Sequence, residues 1–336
     1  MKNQNKKIIS LSRRQFIGRA AAAVGGFALA SGKVIGAPAI IRNLGKPNSK
    51  FGGVQIGAIT YSWRSLPTNA EQVLKYCVDC NVSALELMGP TAEAFAGAPH
   101  MSTEPMVWGA GRERPSAEER AARAKEIAAW RTTVSMDKFE QLRKMYKDAG
   151  VSIYAFKPSA LEEDNTDAEI EYALRAAKAL GASHVTVELP KNGAQSKRLG
   201  ELAAKHKVVV AYHGHLQQTI TSWDEAISQS KYNGANCDVG HYVAAGFDPI
   251  ALLKSKHDHI LSMHLKDRKS KENGGDNVRW GEGDTPIVEI LQLMKKEKYK
   301  FPATVELEYK IPEGSDALKE TAKCVEYCRK ALEKTT

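Results

Sequence analysis

The feature that most constrains this chain is a rhythm: short runs rich in β-branched residues alternate eight times with longer helical patterns. The spacing predicts strands over 54–60, 82–88, 151–156, 183–188, 207–213, 234–238, 259–265 and 302–308. Helices are predicted over 68–80, 135–149, 166–181, 194–206, 222–231, 247–256, 284–297 and 315–333. The strands read apolar on both faces, as in a parallel sheet covered by helices. Gly150 and Gly181 stand where two helices stop, and Asn165-Thr166-Asp167 offers an N-cap. Eight strand–helix units within 54–333 match the (β/α)8 TIM barrel, an α/β architecture. A doubly wound open sheet is the competing arrangement. It wants a glycine-rich phosphate turn after the first strand, and 57–65 has none.

One segment breaks the rhythm. Residues 89–133 separate the second strand from its helix. They begin Gly89-Pro90, carry His100, Trp108 and Gly109-Ala110-Gly111, and end in a charged helical stretch from Ala117 to Trp130. A barrel places such a loop on its catalytic face, as a lid or a substrate wall. The loop 268–283, with Trp280-Gly281-Glu282-Gly283, is also long and polar, 40–53 reads as a linker, and 331–336 reads as a tail.

The net charge of +9 is concentrated at the start. Residues 1–40 hold seven basic residues and no acidic one, so the remainder of the 48 basic and 39 acidic residues nets +2. A nearly neutral body gives no electrostatic footprint for nucleic acid. The basic start, the short apolar run Ala20–Ala30 and the small-residue sites Ala28-Leu29-Ala30 and Ala37-Pro38-Ala39 predict a secretory leader over 1–39. An apolar run of about ten residues is too short to span a bilayer, which needs roughly twenty. Ser12-Arg13-Arg14-Gln15-Phe16-Ile17 resembles the twin-arginine (Tat) export motif, so the expected location is the periplasm, with no membrane anchor once the leader is removed. An N-terminal anchor helix is the alternative. Cys77, Cys80, Cys237, Cys324 and Cys328 read as small buried residues, with a disulfide left open in an oxidising compartment.

The chemistry gathers at strand ends, where barrel active sites sit. Glu86, Lys157, Glu188, His213-Gly214-His215, Asp238 with His241, His264 with Lys266 and Asp267, and Glu306 with Glu308 fall there in turn. A charged residue inside an apolar strand is costly unless it is paired or bound to metal. In a closed barrel Glu188, Asp238, His264 and Glu306, from four neighbouring strands, converge on one point. Three carboxylates and an imidazole suit a divalent ion: manganese first, then magnesium, cobalt or zinc.

This pattern resembles the xylose-isomerase-like TIM barrels, a family of sugar phosphate isomerases and epimerases that includes ketose 3-epimerases, inosose dehydratase and, more distantly, endonuclease IV. The resemblance covers 54–333 apart from the insertion. It implies a metal held by Glu188 in TVELP, Asp238 in CDVGH, His264 in SMHLKD and Glu306 in TVELEY. The stretch from Asp238 to His241 is the most specific match, and Tyr212 to His215 is similar to the family's His-x-His. Glu308 remains an alternative to Glu306, because both face the same side.

The implied reaction is isomerisation or epimerisation through an enediolate, with Glu188 and Glu306 as base and acid on opposite faces of a carbon. His241 and His215 would hydrogen-bond the charged oxygens, and Lys157 and Lys266 would help neutralise them. Glu86, His213 and Asp267 would orient ligands. Trp63, Trp108 and Trp280 would wall the pocket. The leader and the insertion depart from cytosolic ketose epimerases, which keeps a lyase or hydratase acting on a 3-keto sugar or glycoside as the alternative. A non-catalytic sugar-binding barrel ranks below both. The expected partner is a small carbohydrate, with self-association into a homo-oligomer left open.

Overall fold

The computed structural model describes residues 45–106 and 115–333; the leader expected over 1–39 and Trp108 lie outside them. Eight parallel strands close on themselves: β2 (Val54–Ile59), β3 (Ala84–Met88), β4 (Ser152–Lys157), β5 (His184–Glu188), β6 (Val209–His213), β7 (Asn233–Asp238), β8 (Ile260–Leu265) and β9 (Ala303–Val305). Each pairs with the next, and β9 returns to β2 through Ile56↔Ala303 and Ala58↔Val305. This is the TIM barrel that the rhythm predicts. β9 is shorter than expected: regular pairing stops at Val305, so Glu306 and Glu308 lie just beyond the strand. A two-residue strand, β1 (Lys50–Phe51), runs antiparallel to β2, and the buried Ser49 hydroxyl donates to the Ile56 carbonyl at 2.6 Å. The end of the segment expected as a linker is therefore tied to the barrel.

The helices are α1 (Ala70–Asp79), α2 (Gly89–Phe95), α3 (Ala117–Thr133), α4 (Asp137–Asp148), α5 (Asp167–Leu180), α6 (Gly193–His206), α7 (Asp224–Gln229), α8 (Val239–Ala244), α9 (Pro249–Lys256), α10 (Ile287–Glu297) and α11 (Ala317–Glu333). Their ends follow local chemistry. Thr166 and Glu169 form a reciprocal capping box at the start of α5, and Gly181 ends it in the left-handed region at φ +79°. Between helices and strands lies a continuous apolar core that includes Ile56, Leu74, Tyr146, Val185, Tyr212 and Leu291. Removing side chains of this size from water stabilises the fold by about 1.5–3 kcal/mol each. Trp63 belongs here and not to a sugar pocket: it is fully buried against Tyr76, with ring centroids 5.7 Å apart. All five cysteines are free and buried, and burial pushes the Cys80 thiol up to about 12, which makes it unreactive. Among the described residues no helix is long and apolar enough to cross a membrane.

The insertion contributes α2 and α3. Helix α3 is polar nearly all round, and Arg131 is its one buried residue. Arg131 Nε and Nη2 grip the fully buried Glu93 of α2 at 2.9 and 3.3 Å, while Nη1 reaches Glu169 of α5 at 3.3 Å. Such a helix has little apolar surface to dock by burial; Trp130, edge-on to Tyr172 with ring centroids 5.7 Å apart, and this ionic triad supply the contact.

Candidate active site

The polar residues at the carboxyl ends of the strands come together in two groups that share one histidine. In the first, one donor atom each from His213, Asp238, His264 and Glu306 lies within 4.8 Å of the others, and all four residues are buried. In the second, Glu188, His213 and His215 meet the same test. Strand register produces this. Asp238 pairs with His264 across β7 and β8, and Glu188 pairs with His213 across β5 and β6. The sequence reading put Glu188 among the four donors and His213 behind them. The structure groups His213 with the donors and turns Glu188 towards Lys157 and His215, at 2.9 and 3.2 Å.

Each donor is held from behind. His264 Nε2 meets Glu86 at 2.7 Å and its Nδ1 meets Glu306 at 2.8 Å. Burial opposes a charged imidazole there, but the two carboxylates win and raise His264 to about 10. Glu86, itself fully buried, accepts a further bond from Thr186 at 2.7 Å, and its carboxyl is lowered to about 2 against the cost of burial, chiefly by His264. Glu86 is thus spent on His264 and Thr186 and closed off from solvent. His213 is driven far below the ordinary histidine range by burial and by the cations of Lys157 and His264, so it is neutral, with Nδ1 3.0 Å from Asn236 Oδ1.

Lys266 sits among the acids, 3.0 Å from Asp238, 2.8 Å from Glu306 and 2.6 Å from Glu308. Burial works against its ammonium, but these three carboxylates raise it well above the usual lysine range. Glu306 is correspondingly lowered despite burial, first by Lys266 and then by His264. Asp238 caps α8 by accepting the His241 N–H at 2.8 Å on Oδ1. The Asp-x-Gly-His stretch needs its glycine because a Cβ at Gly240 would stand 2.7 Å from the Lys266 carbonyl oxygen.

His241 is lowered to about 2 by burial and by the neighbouring Lys266 and Arg268 cations. The Arg268 guanidinium donates to its Nδ1, leaving Nε2–H to face the site. Arg268 escaped the sequence reading, although alternation from His264 through Lys266 places it on the same face. The same alternation turns Asp267 away. Its carboxylate accepts the Gly281, Gly283 and Thr285 N–H groups at 2.8, 2.9 and 3.3 Å, so it anchors the loop after β8 and does not reach substrate. Trp280 in that loop packs edge-on against Tyr327 of α11, away from the donors. The rings of His264, His213, His215 and His241 form a row with centroids 4.7 Å apart at each step.

Two buried oxygens, Asp238 Oδ2 and Glu188 Oε2, accept no well-aligned hydrogen bond, although Lys266 Nζ stands 3.0 Å from the first and His215 Nδ1 3.2 Å from the second. Asp238 Oδ2, Glu306 and the imidazole of His213, joined by His264 once it gives up the proton it shares with Glu306, form a donor set that fits a divalent cation. Two cavities share Arg64 and Met106: one is lined by Glu308, and the other is walled by Ser102, Glu104 and Pro105 of the insertion.

A (β/α)8 barrel with an acidic and imidazole-rich centre at the strand ends defines the class. The Xylose isomerase-like TIM barrel family model matches residues 116–328, and the chain belongs to that family. A segment of 79 residues is 38% identical to inosose dehydratase from Lactiplantibacillus plantarum, spanning 22% of this chain and 26% of that protein. Among solved structures, D-psicose 3-epimerase from Clostridium cellulolyticum H10 superposes over 84% of this chain and all of its own, with TM-score 0.58 and 12% identity. The 3-keto-D-glucoside 4-epimerase from E. coli covers 82% of this chain and 99% of its own, with TM-score 0.56 and 12% identity. These two likenesses are of fold.

Proposed function

We propose that the protein is a divalent-metal-dependent sugar isomerase or epimerase that moves a proton at a carbon next to a carbonyl. The observation that carries this reading is the pair of groups joined at His213: a compact donor set, and beside it a carboxylate, Glu188, held by a lysine and a histidine. His213, Asp238, His264 and Glu306 would hold the metal, manganese ahead of magnesium, cobalt or zinc. When bound, the metal supplies a Lewis acid that polarises a sugar carbonyl and lowers the acidity barrier at the neighbouring carbon.

The protein's own groups do the rest. Glu188 takes the proton; Lys157 fixes its Oε1 at 2.9 Å and leaves Oε2 for the transfer. His241 presents Nε2–H to the oxygen that gains charge. Glu306 is committed to Lys266 and His264, so the acid for the opposite face falls to Glu308, the more open carboxylate beside Lys266. The similarity to an inosose dehydratase favours elimination as the second reading, with Glu188 removing the same proton and a substituent leaving from the next carbon. Incubation with manganese and simple ketoses in deuterated water tests the first reading by deuterium uptake. Release of aglycone from a 3-keto-glucoside without prior exchange would favour the second. The arginine pair in the leader supports export to the periplasm by the twin-arginine route, which fractionation of expressing cells would check.

A further inference from the structure

We propose that a hydrogen-bond chain through the barrel interior dictates which nitrogen of His213 carries its proton, so that Asn236, Ser262 and His184 are positioning residues for the donor set. The inference rests on the reading above only in giving His213 a cation to bind. The chain begins at the amino-terminal end of β5, remote from the donors. Ser183 Oγ lies 3.0 Å from the Tyr154 carbonyl oxygen and 2.8 Å from His184 Nδ1. A carbonyl only accepts, so the Ser183–Tyr154 bond takes the single hydroxyl proton of Ser183, and with that bond in place His184 Nδ1 carries the proton it gives to Ser183. His184 Nε2 is then a bare acceptor, filled by the Ser262 hydroxyl at 2.9 Å.

That bond uses the only proton of Ser262. Its oxygen therefore accepts from the side-chain amide N–H of Asn236, 2.9 Å away. The amide's remaining atom, its carbonyl oxygen, faces His213 Nδ1 at 3.0 Å and requires a proton there. Nε2 is left with its lone pair, the state a metal ligand needs. The orientation of the amide is an outcome of donor counting along the chain, not a starting assumption. His184, Asn236 and Ser262 are fully buried, so a broken link cannot be replaced by bulk solvent and costs the full desolvation of the orphaned group. His184 is lowered to about 4 by burial, in keeping with one bare nitrogen.

The test uses the full-length protein labelled with 15N-histidine and stripped of metal. Long-range 1H–15N correlation spectra identify which nitrogen of each imidazole is protonated. His213 is expected as the Nδ1–H tautomer in the parent. In Ser262→Ala the signal should shift towards a mixture of tautomers, with Mn2+ affinity by titration calorimetry weakened about 10-fold or more. Ser262→Thr, which keeps the hydroxyl, should restore both. An Nε2–H tautomer in the parent, or a His213 signal unchanged by Ser262→Ala, overturns the inference. A tautomer change with unchanged Mn2+ affinity upholds the chain and instead removes His213 from the donor set, which separates this inference from the functional reading.

Discussion

Lys266 and Glu306 form an ion pair, 2.8 Å from Nζ to Oε2, with side chains only 3% and 8% exposed. The pair places a fixed cation within the oxygens that fit a divalent one, and Asp238 and Glu308 share the same ammonium. Its removal should therefore convert a self-neutralised cluster into one that depends on added metal. Lys266→Met is expected to destabilise the metal-free protein by about 3–5 kcal/mol, the usual cost of orphaning buried charges. Mn2+ at 100 times its dissociation constant should return about 2.7 kcal/mol. Urea unfolding with and without Mn2+ checks this; equal stability of variant and parent without metal would deny Lys266 its balancing role.

Glu188 and Asp238 should separate cleanly. Glu188→Gln is expected to lower turnover by about 100- to 10,000-fold while Mn2+ still binds within a few-fold of the parent. Asp238→Asn should lose Mn2+ binding itself. Titration calorimetry alongside deuterium exchange from solvent measures both quantities. Lost Mn2+ binding in Glu188→Gln would return Glu188 to the donor set, as the sequence pattern suggested.

The buried His184 makes a pH prediction. Its folded value of about 4 lies below the ordinary 6.5, so the unfolded chain takes up the proton first as pH falls. Its contribution to stability is therefore complete above 6.5, drains away between 6.5 and about 4, and is constant below that. The total is about 3 kcal/mol. Urea unfolding across that window should fall more steeply for the parent than for His184→Gln. Parallel profiles would mean that His184 takes up its proton equally in the folded and the unfolded chain.

The ionic triad of the insertion is open to a direct test. Arg131→Met leaves Glu93 buried without its cation, at a cost of about 3–5 kcal/mol. Helix α3, then held mainly by Trp130 against Tyr172, should be cut by trypsin at its exposed basic residues under conditions where the parent survives. An unchanged digestion pattern would show that α3 docks by other means.

The barrel was legible because its signals are local. Strand runs, the cap at Thr166 and the stop at Gly181 each act within a few residues. The donors Asp238, His264 and Glu306 were legible for a related reason: charged residues at apolar strand ends have few alternatives. The choice between Glu188 and His213 was not, because it depends on how β5 to β8 stagger, and the pairing of β7 with β8 shifts at Ala235/Asn236. Asp267 was misread although alternation along His264, Lys266 and Arg268 already turned it outwards. Trp63 and Trp280 were misread because an aromatic residue near a strand end packs as well on a helix as on a sugar. The pairing of Arg131 with Glu93 joins residues 38 positions apart, and no local pattern announces it.

The close approach at Gly240 has an evolutionary corollary. Helix α8 rests so near the end of β8 that even a methyl group at Gly240 would strike the main chain of Lys266, so that contact admits no side-chain exchange. The opposite rim is different: residues 102–106 are laced to the β2 loop by main-chain bonds, Thr68 N to the Thr103 carbonyl and Met106 N to the Arg64 carbonyl, both at 2.7 Å. Backbone lacing of that kind tolerates almost any side chain, so diversification of substrate range in this lineage has one permissive flank and one frozen one.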